Sequence, residues 1–161
     1  MPWGLTCFHC SGQSHFVTFC CYHRRQSFTT GASRRVFESA LERVRCSYRL
    51  YVYGYVVMPE HVHLLLSEPQ PGSGPLKPDF GLSGNPRWLS QRQPRTLADA
   101  LKSLKQGVSR RLPGDAEHFW QKRYYDFNIR NYDQFVEKLR YIHRNPGSPA
   151  SPLLACWGGS R

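Results

Sequence analysis

The chain has 161 residues, 40% of them hydrophobic and 14% aromatic, and a formal net charge of +11 from 22 Lys and Arg against 11 Asp and Glu. That length suits one domain with a real core, and no apolar run approaches membrane-spanning length. A basic excess of this size favours a polyanionic partner, most often nucleic acid, over a generally basic soluble protein.

The opening Met1-Pro2-Trp3-Gly4 lacks a basic start followed by a long apolar stretch, so a cytoplasmic protein with no membrane partner is expected. Cys7 and Cys10 form a C-x-x-C, followed by Cys20 and Cys21. A zinc knuckle is conceivable, but the second pair is adjacent rather than spaced, and reduced thiols are the simpler reading.

His15 to Tyr22 is rich in aromatic and β-branched residues and predicts a strand. Ser33 is positioned to cap a helix carrying Val36, Phe37, Ala40, Leu41 and Val44 at helical spacing. Tyr48 to Val57 reads as a long strand, Pro59 as a turn, and His61 to Ser67 as the returning strand. Residues 68–94 are dense in Pro and Gly and predict an inserted loop. Thr96 starts a basic amphipathic helix reaching about Arg111, which Pro113 and Gly114 stop. Phe119 to Arg130 is aromatic and basic, a loop leading into a short strand. Asn131 or Asp133 then caps a last helix through Arg144, with Phe135, Leu139 and Ile142 as its buried stripe. This order predicts a ferredoxin-like α+β sandwich, an antiparallel sheet with helices on one side.

Cations and aromatics are interleaved along the chain. Arg24-Arg25, Arg34-Arg35, Lys102 and Lys105, Arg110-Arg111, Lys122-Arg123 and Arg140 with Arg144 lie among Tyr22, Phe37, Trp120, Tyr124, Tyr125 and Tyr132. Charges for phosphates and π-faces for unstacked bases suit single-stranded nucleic acid. The candidate DNA contacts are Arg24, Arg25, Lys105, Arg110, Lys122, Arg123, Tyr124, Tyr125 and Arg130.

The segment Tyr55-Val-Val-Met-Pro-Glu-His-Val-His-Leu-Leu-Leu66 carries the chemistry. On a strand, His61 and His63 point one way while Val62, Leu64 and Leu66 point into a core. Two imidazoles on one rigid face can share a divalent metal, although the same pattern also fits a polar row on a half-exposed sheet. On the last helix, Tyr141 and Asn145 are one turn apart and share a face. By themselves they read more simply as a half-buried core aromatic and a C-terminal helix stop than as a nucleophile and a ligand.

Three stretches resemble the single-tyrosine HUH transposases, most of all the REP-associated tyrosine transposases of bacteria. They are Tyr55 to Leu66, Phe119-Trp-Gln-Lys-Arg-Tyr-Tyr-Asp-Phe-Asn-Ile-Arg130, and Leu139-Arg-Tyr-Ile-His-Arg-Asn-Pro146, with Gly12 to Arg25 also similar. The resemblance implies a catalytic domain over residues 1–146, with the histidines on a central strand and the tyrosine on the C-terminal helix. It implies His61, His63 and Asn145 as metal ligands, Mg²⁺ or Mn²⁺ as the ion, and Tyr141 as the nucleophile. Tyr124 and Tyr125 are rivals for that last role but lack a polar partner at helical spacing. The implied reaction cleaves single-stranded DNA beside a REP-like hairpin, leaving a 5′-phosphotyrosine and a free 3′-OH, and strand transfer reverses the step. A phenol ordinarily titrates at about 10, so such a nucleophile needs a metal or base beside it. The resemblance leaves open whether the protein works as a monomer or a homodimer.

Beyond Pro146 the chain departs from the family. Where a Val-Lys-Arg-Gly-Leu-Val-like stretch is usual, residues 147–161 are rich in Gly, Pro and Ser. A frameshift near residue 146 is the expectation, testable by seeking the usual tail in another reading frame of the locus. Two other readings accompany the enzyme: a decayed protein that binds repeat hairpins without cutting, and an RNA-binding domain on a similar sheet.

Overall fold

A computed structural model of the chain describes residues 14–69, 96–114 and 118–145. Among them are the strands β1 (Ser14–Cys20), β2 (Val52–Val57), β3 (His61–Ser67) and β4 (Tyr125–Ile129), and the helices α1 (Gly31–Tyr48), α2 (Leu97–Ser109) and α3 (Tyr132–Arg144). The strands pair antiparallel in the order β2-β3-β1-β4, so β3 is central. This is the βαββαβ order of a ferredoxin-like sandwich with one more helix at its end.

Side-chain alternation gives the sheet two different faces. Val62, Leu64 and Leu66 of β3 join Val17 and Phe19 of β1 on the first face. Phe37, Ala40, Leu41 and Val44 of α1, with Leu97, Leu101, Leu104 and Val108 of α2, close over them. Burying each such aliphatic side chain stabilises the fold by roughly 1.5–3 kcal/mol. The second face carries Phe16, Val56, Leu65 and Ile129, against which Ile142, Leu139 and Phe135 of α3 pack.

The sequence predicts all the helices on one side of the sheet; instead α3 covers the face opposite α1 and α2. Apolar residues on the same face as the histidines explain why. Leu65, Val56 and Phe16 make the second face apolar as well, and α3 is the element that keeps it dry. Gly54 of β2 lets α3 come close, since a Cβ there would sit 3.3 Å from Leu139 Cδ1 and 3.7 Å from Ile142 Cδ1.

Local chemistry set several boundaries differently from the sequence reading. α1 is capped by Thr30, whose side chain accepts from the Ser33 amide at 3.1 Å. Ser33, expected as the cap, is instead the residue being capped. The helix also runs on through Tyr48, whose hydroxyl donates to the Asp99 carbonyl at 3.3 Å, and Arg49 ends it in a left-handed conformation at φ 51°. β2 is accordingly shorter than the stretch from Tyr48. α2 starts with a full capping box: the Asp99 amide donates to Thr96 Oγ1 at 3.2 Å, and the Thr96 amide donates to Asp99 Oδ2 at 3.0 Å. Asn131, one of the two expected caps, accepts from the Gln134 amide at 2.9 Å and opens α3.

The aromatic stretch before β4 is stitched into the fold. Trp120 bridges to Cys21, and its indole donates to the Lys105 carbonyl at 2.9 Å. Trp120 and Phe37 are thus core residues and not free faces for bases. Cys20, Cys21 and Cys46 are free thiols. Cys7 and Cys10, nearly all of the 68–94 insertion and the 147–161 tail lie outside the described residues.

Candidate active site

The antiparallel register of β1 and β3 builds the centre. It sets Thr18 opposite His63 and Cys20 opposite His61, while Tyr125 of β4 lies opposite Thr18. Tyr125, Thr18, His63 and Val56 thus form one row across the α3-covered face. His61 and His63 project side by side with ring centroids 4.8 Å apart.

His63 is held from several directions. Phe16 stacks on its ring at 5.5 Å and 15° between planes. Tyr141 meets the ring edge-on at 5.2 Å and 83°, and also touches Phe16 edge-on at 5.9 Å. His63 Nδ1 lies 2.7 Å from Thr18 Oγ1, whereas its Nε2 is buried and has no hydrogen-bond partner. Burial first, and the neighbouring His61 second, push the His63 pKa down to about 4. Burial also lowers that of His61, against the opposing pull of Glu60. Both rings are therefore favoured in the neutral form that a metal requires. Glu60 Oε1 stands 3.7 Å from His61 Nδ1 and 3.3 Å from an Arg24 guanidinium nitrogen.

The structure brings His61, His63 and Tyr141 together. Tyr141 is half-exposed, with its ring held against His63 and Phe16. Asn145 follows one turn later as the C-terminal cap of α3. It shares with Tyr141, Arg140 and Arg144 the lining of a cavity of about 720 Å³ along that helix. Among the described residues, no hydrogen bond joins its amide to either histidine, and no three His, Cys, Asp or Glu side chains converge as a metal site. The buried, unpartnered Nε2 of His63 is what fits an ion here; an unsatisfied polar atom of this kind is rare and costly otherwise.

The rival tyrosines lie elsewhere. Tyr124 packs against the core under α1 and α2. Tyr125 is exposed on the correct face, but two strands from His63, at about 10 Å given the usual strand spacing. The candidate DNA contacts also divide. Arg25, Arg110, Lys122, Arg123 and Arg130 are exposed, and exposed Arg24 pairs with Glu60. Lys105 is engaged within the fold: its ammonium donates to the Gln121 carbonyl at 2.8 Å and lies over the Phe19 ring at 5.8 Å, and burial lowers its pKa.

Some residues near the site escaped the sequence reading. Thr18 and Phe16 sit in an ordinary-looking strand, and only register with β3 reveals them. Lys138 of α3 places its ammonium over Phe127 at 5.0 Å and Phe16 at 5.7 Å, beside the same centre. On the opposite face, His15 is fully buried between Asp126 at 2.8 Å and Glu68 at 3.3 Å.

The family described as IS200-like transposases matches residues 9–145. The chain belongs to that family. A REP-associated tyrosine transposase solved bound to a REP hairpin is similar in fold, with a TM-score of 0.64 and 18% identity over 90% of this chain and 73% of the other. A candidate transposase from Deinococcus radiodurans R1 is 17% identical over 89% of this chain and 96% of its own, with a TM-score of 0.49. No curated protein matches the sequence. As a transposase-family domain, the chain has no helix among its described residues long and apolar enough to cross a membrane.

Proposed function

We propose that this transposase-family protein cleaves and rejoins single-stranded DNA beside hairpin repeats through a covalent link to Tyr141. The observation that carries the reading is the meeting of Tyr141 with His63, whose Nε2 is buried without a partner. The similarity in fold to a REP-associated enzyme solved on its hairpin supports hairpin DNA as the substrate class.

In the proposed step the Tyr141 oxygen attacks the scissile phosphorus. A Tyr–O–P bond forms, the P–O3′ bond breaks, and the phenolic proton ends on the departing 3′ oxygen. The product is a 5′-phosphotyrosine with a free 3′-OH. Attack by another 3′-OH returns the proton to the phenol and joins the strands. Bond energy is kept in the phosphotyrosine, so no nucleotide cofactor is needed. His61 and His63 would hold a divalent ion, with the Asn145 amide oxygen as third donor. Such an ion, Mg²⁺ or Mn²⁺ by family resemblance, supplies charge stabilisation at the phosphate oxygens. Phe16 packs against both the proposed ligand His63 and the proposed nucleophile Tyr141, and exposed Tyr125 offers a π-face to a flanking base.

A labelled hairpin with single-stranded flanks, incubated with Mn²⁺ or Mg²⁺, tests this. A covalent protein–DNA adduct from the wild type but not from Tyr141→Phe is expected. Tight binding with no adduct under either metal would instead support a protein that recognises repeat hairpins without cutting them.

A further inference from the structure

We infer that Thr18 is a positioning residue that holds His63 in the tautomer carrying its proton on Nδ1, so that the Nε2 lone pair faces the proposed ion site. This inference rests on the metal role proposed for His63, but its first test does not need the metal.

The argument starts from sheet register. Thr18 and His63 are directly opposed across β1 and β3, on the face that α3 covers. Opposed side chains on one sheet face have Cβ atoms about 4.5–5.5 Å apart, within reach of a hydroxyl and an imidazole. Here the contact is made at 2.7 Å between Thr18 Oγ1 and His63 Nδ1.

A neutral imidazole has one donor and one acceptor nitrogen, and the partner of one decides the role of the other. A threonine hydroxyl can serve either form. If Nδ1–H donates to Thr18, the atom left buried without a partner is an Nε2 lone pair. If Thr18 donates to Nδ1, the atom left buried is an Nε2–H with no acceptor. The first arrangement is completed by a cation; the second cannot be. Metal-bound histidines characteristically donate their remaining N–H to an outer oxygen, which fixes ring orientation and raises ligand basicity.

The neighbouring histidine has a parallel environment. His61 turns its Nδ1 toward the Glu60 carboxylate at 3.7 Å. Each ring thus has an oxygen beside Nδ1, at hydrogen-bonding distance for His63 and farther off for His61. Phe16 adds the remaining constraint on His63, since stacking at 15° fixes the ring plane that the hydrogen bond leaves free to tilt.

Histidine side-chain ¹⁵N–¹H correlation spectra of the metal-free protein read the tautomer directly. The wild type should show His63 as the Nδ1–H form, and near-isosteric Thr18→Val should lose that preference while Thr18→Ser restores it. An Nε2–H form in the wild type overturns the inference. Mn²⁺ titration by calorimetry supplies the second reading. Loss of such an outer partner ordinarily weakens metal affinity about 10–100-fold, so Thr18→Val should fall by that factor and Thr18→Ser recover. Equal Mn²⁺ affinity of wild type and Thr18→Val overturns the role given to Thr18. A wild type that keeps the Nδ1–H form yet binds no Mn²⁺ overturns the metal reading and sustains the tautomer assignment. Thermal melts that match across the three proteins show that the valine variant is folded.

Discussion

His63 on β3 and Tyr141 on α3 meet edge to face, with ring centroids 5.2 Å apart. That contact spans the packing of a helix on a sheet, so it fixes the candidate nucleophile relative to the candidate metal ligand. Tyr141→Phe keeps the ring and removes only the hydroxyl. It is expected to retain hairpin affinity and abolish the covalent adduct on denaturing gels. His63→Ala should lower cleavage by about two to three powers of ten, the scale of several kcal/mol of lost charge stabilisation.

Tyr125 shares a sheet face with His63 and is exposed enough to stack on a base. Tyr125→Ala should weaken single-stranded DNA binding by about 1–3 kcal/mol in fluorescence anisotropy, whereas Tyr125→Trp should retain it. Unchanged affinity for the alanine variant would remove Tyr125 from the proposed interface.

Lys105 and Lys122 should respond in opposite ways. The Lys105 ammonium is tied to the Gln121 carbonyl, whereas Lys122 is exposed. Lys122→Gln is expected to reduce the slope of log affinity against log salt by about 1. Lys105→Gln should leave the slope unchanged and lower the melting temperature. A salt slope altered by Lys105→Gln would place that ammonium on the DNA after all.

The buried His15 predicts an alkaline loss of stability. Burial is the largest influence on its pKa and pulls it down, but hydrogen bonds and charges from Asp126 and Glu68 outweigh burial and raise it above 6.5. The folded state therefore holds the proton more tightly than the unfolded one. This stabilisation is fully present below about 6.5 and is lost as pH rises through the elevated folded value. Melts from pH 6 to pH 9 should show a decline that His15→Gln flattens; a decline of the same size in that variant would assign it to other groups.

Gly54 sets the approach of α3. A Cβ there would meet Leu139 Cδ1 at 3.3 Å, a contact that a side-chain end can relieve by a few tenths of an ångström. Gly54→Ala should therefore be tolerated. Gly54→Val should lift α3 and reduce adduct formation more than it reduces hairpin binding, as measured in parallel on one preparation.

Much of this architecture was legible because burial has a period. The alternation through Val62, Leu64 and Leu66 put His61 and His63 on the opposite face before any fold was known, and Phe135, Leu139 and Ile142 marked the inner side of α3. What periodicity could not supply was which face of the sheet each helix would cover. Nor could it distinguish Thr30 from Ser33 as a cap, since both are good ones. The strand-like run after Ser47 was misleading because Tyr48 serves the core equally well from the last turn of α1. Composition overstated the free aromatics: Phe37 and Trp120 are spent on the core. Thr18 carried no local signal at all, because its significance lies in the residue across from it. Asn145 was marked by its spacing from Tyr141, but spacing along a helix does not turn an amide toward a neighbouring strand.

The two-faced build of β3 has a genetic consequence. At even-numbered positions from 62 to 66, side chains face the layer closed by α1 and α2; His61 and His63 face the other way. Variants at the even positions should reduce how much protein a cell accumulates. Variants at the two histidines should leave abundance intact and lower the output per molecule. In a survey that scores both traits, the parity of the residue number would sort the phenotypes from 61 to 64, whereas odd-numbered Leu65, buried under α3, would fall with the even positions.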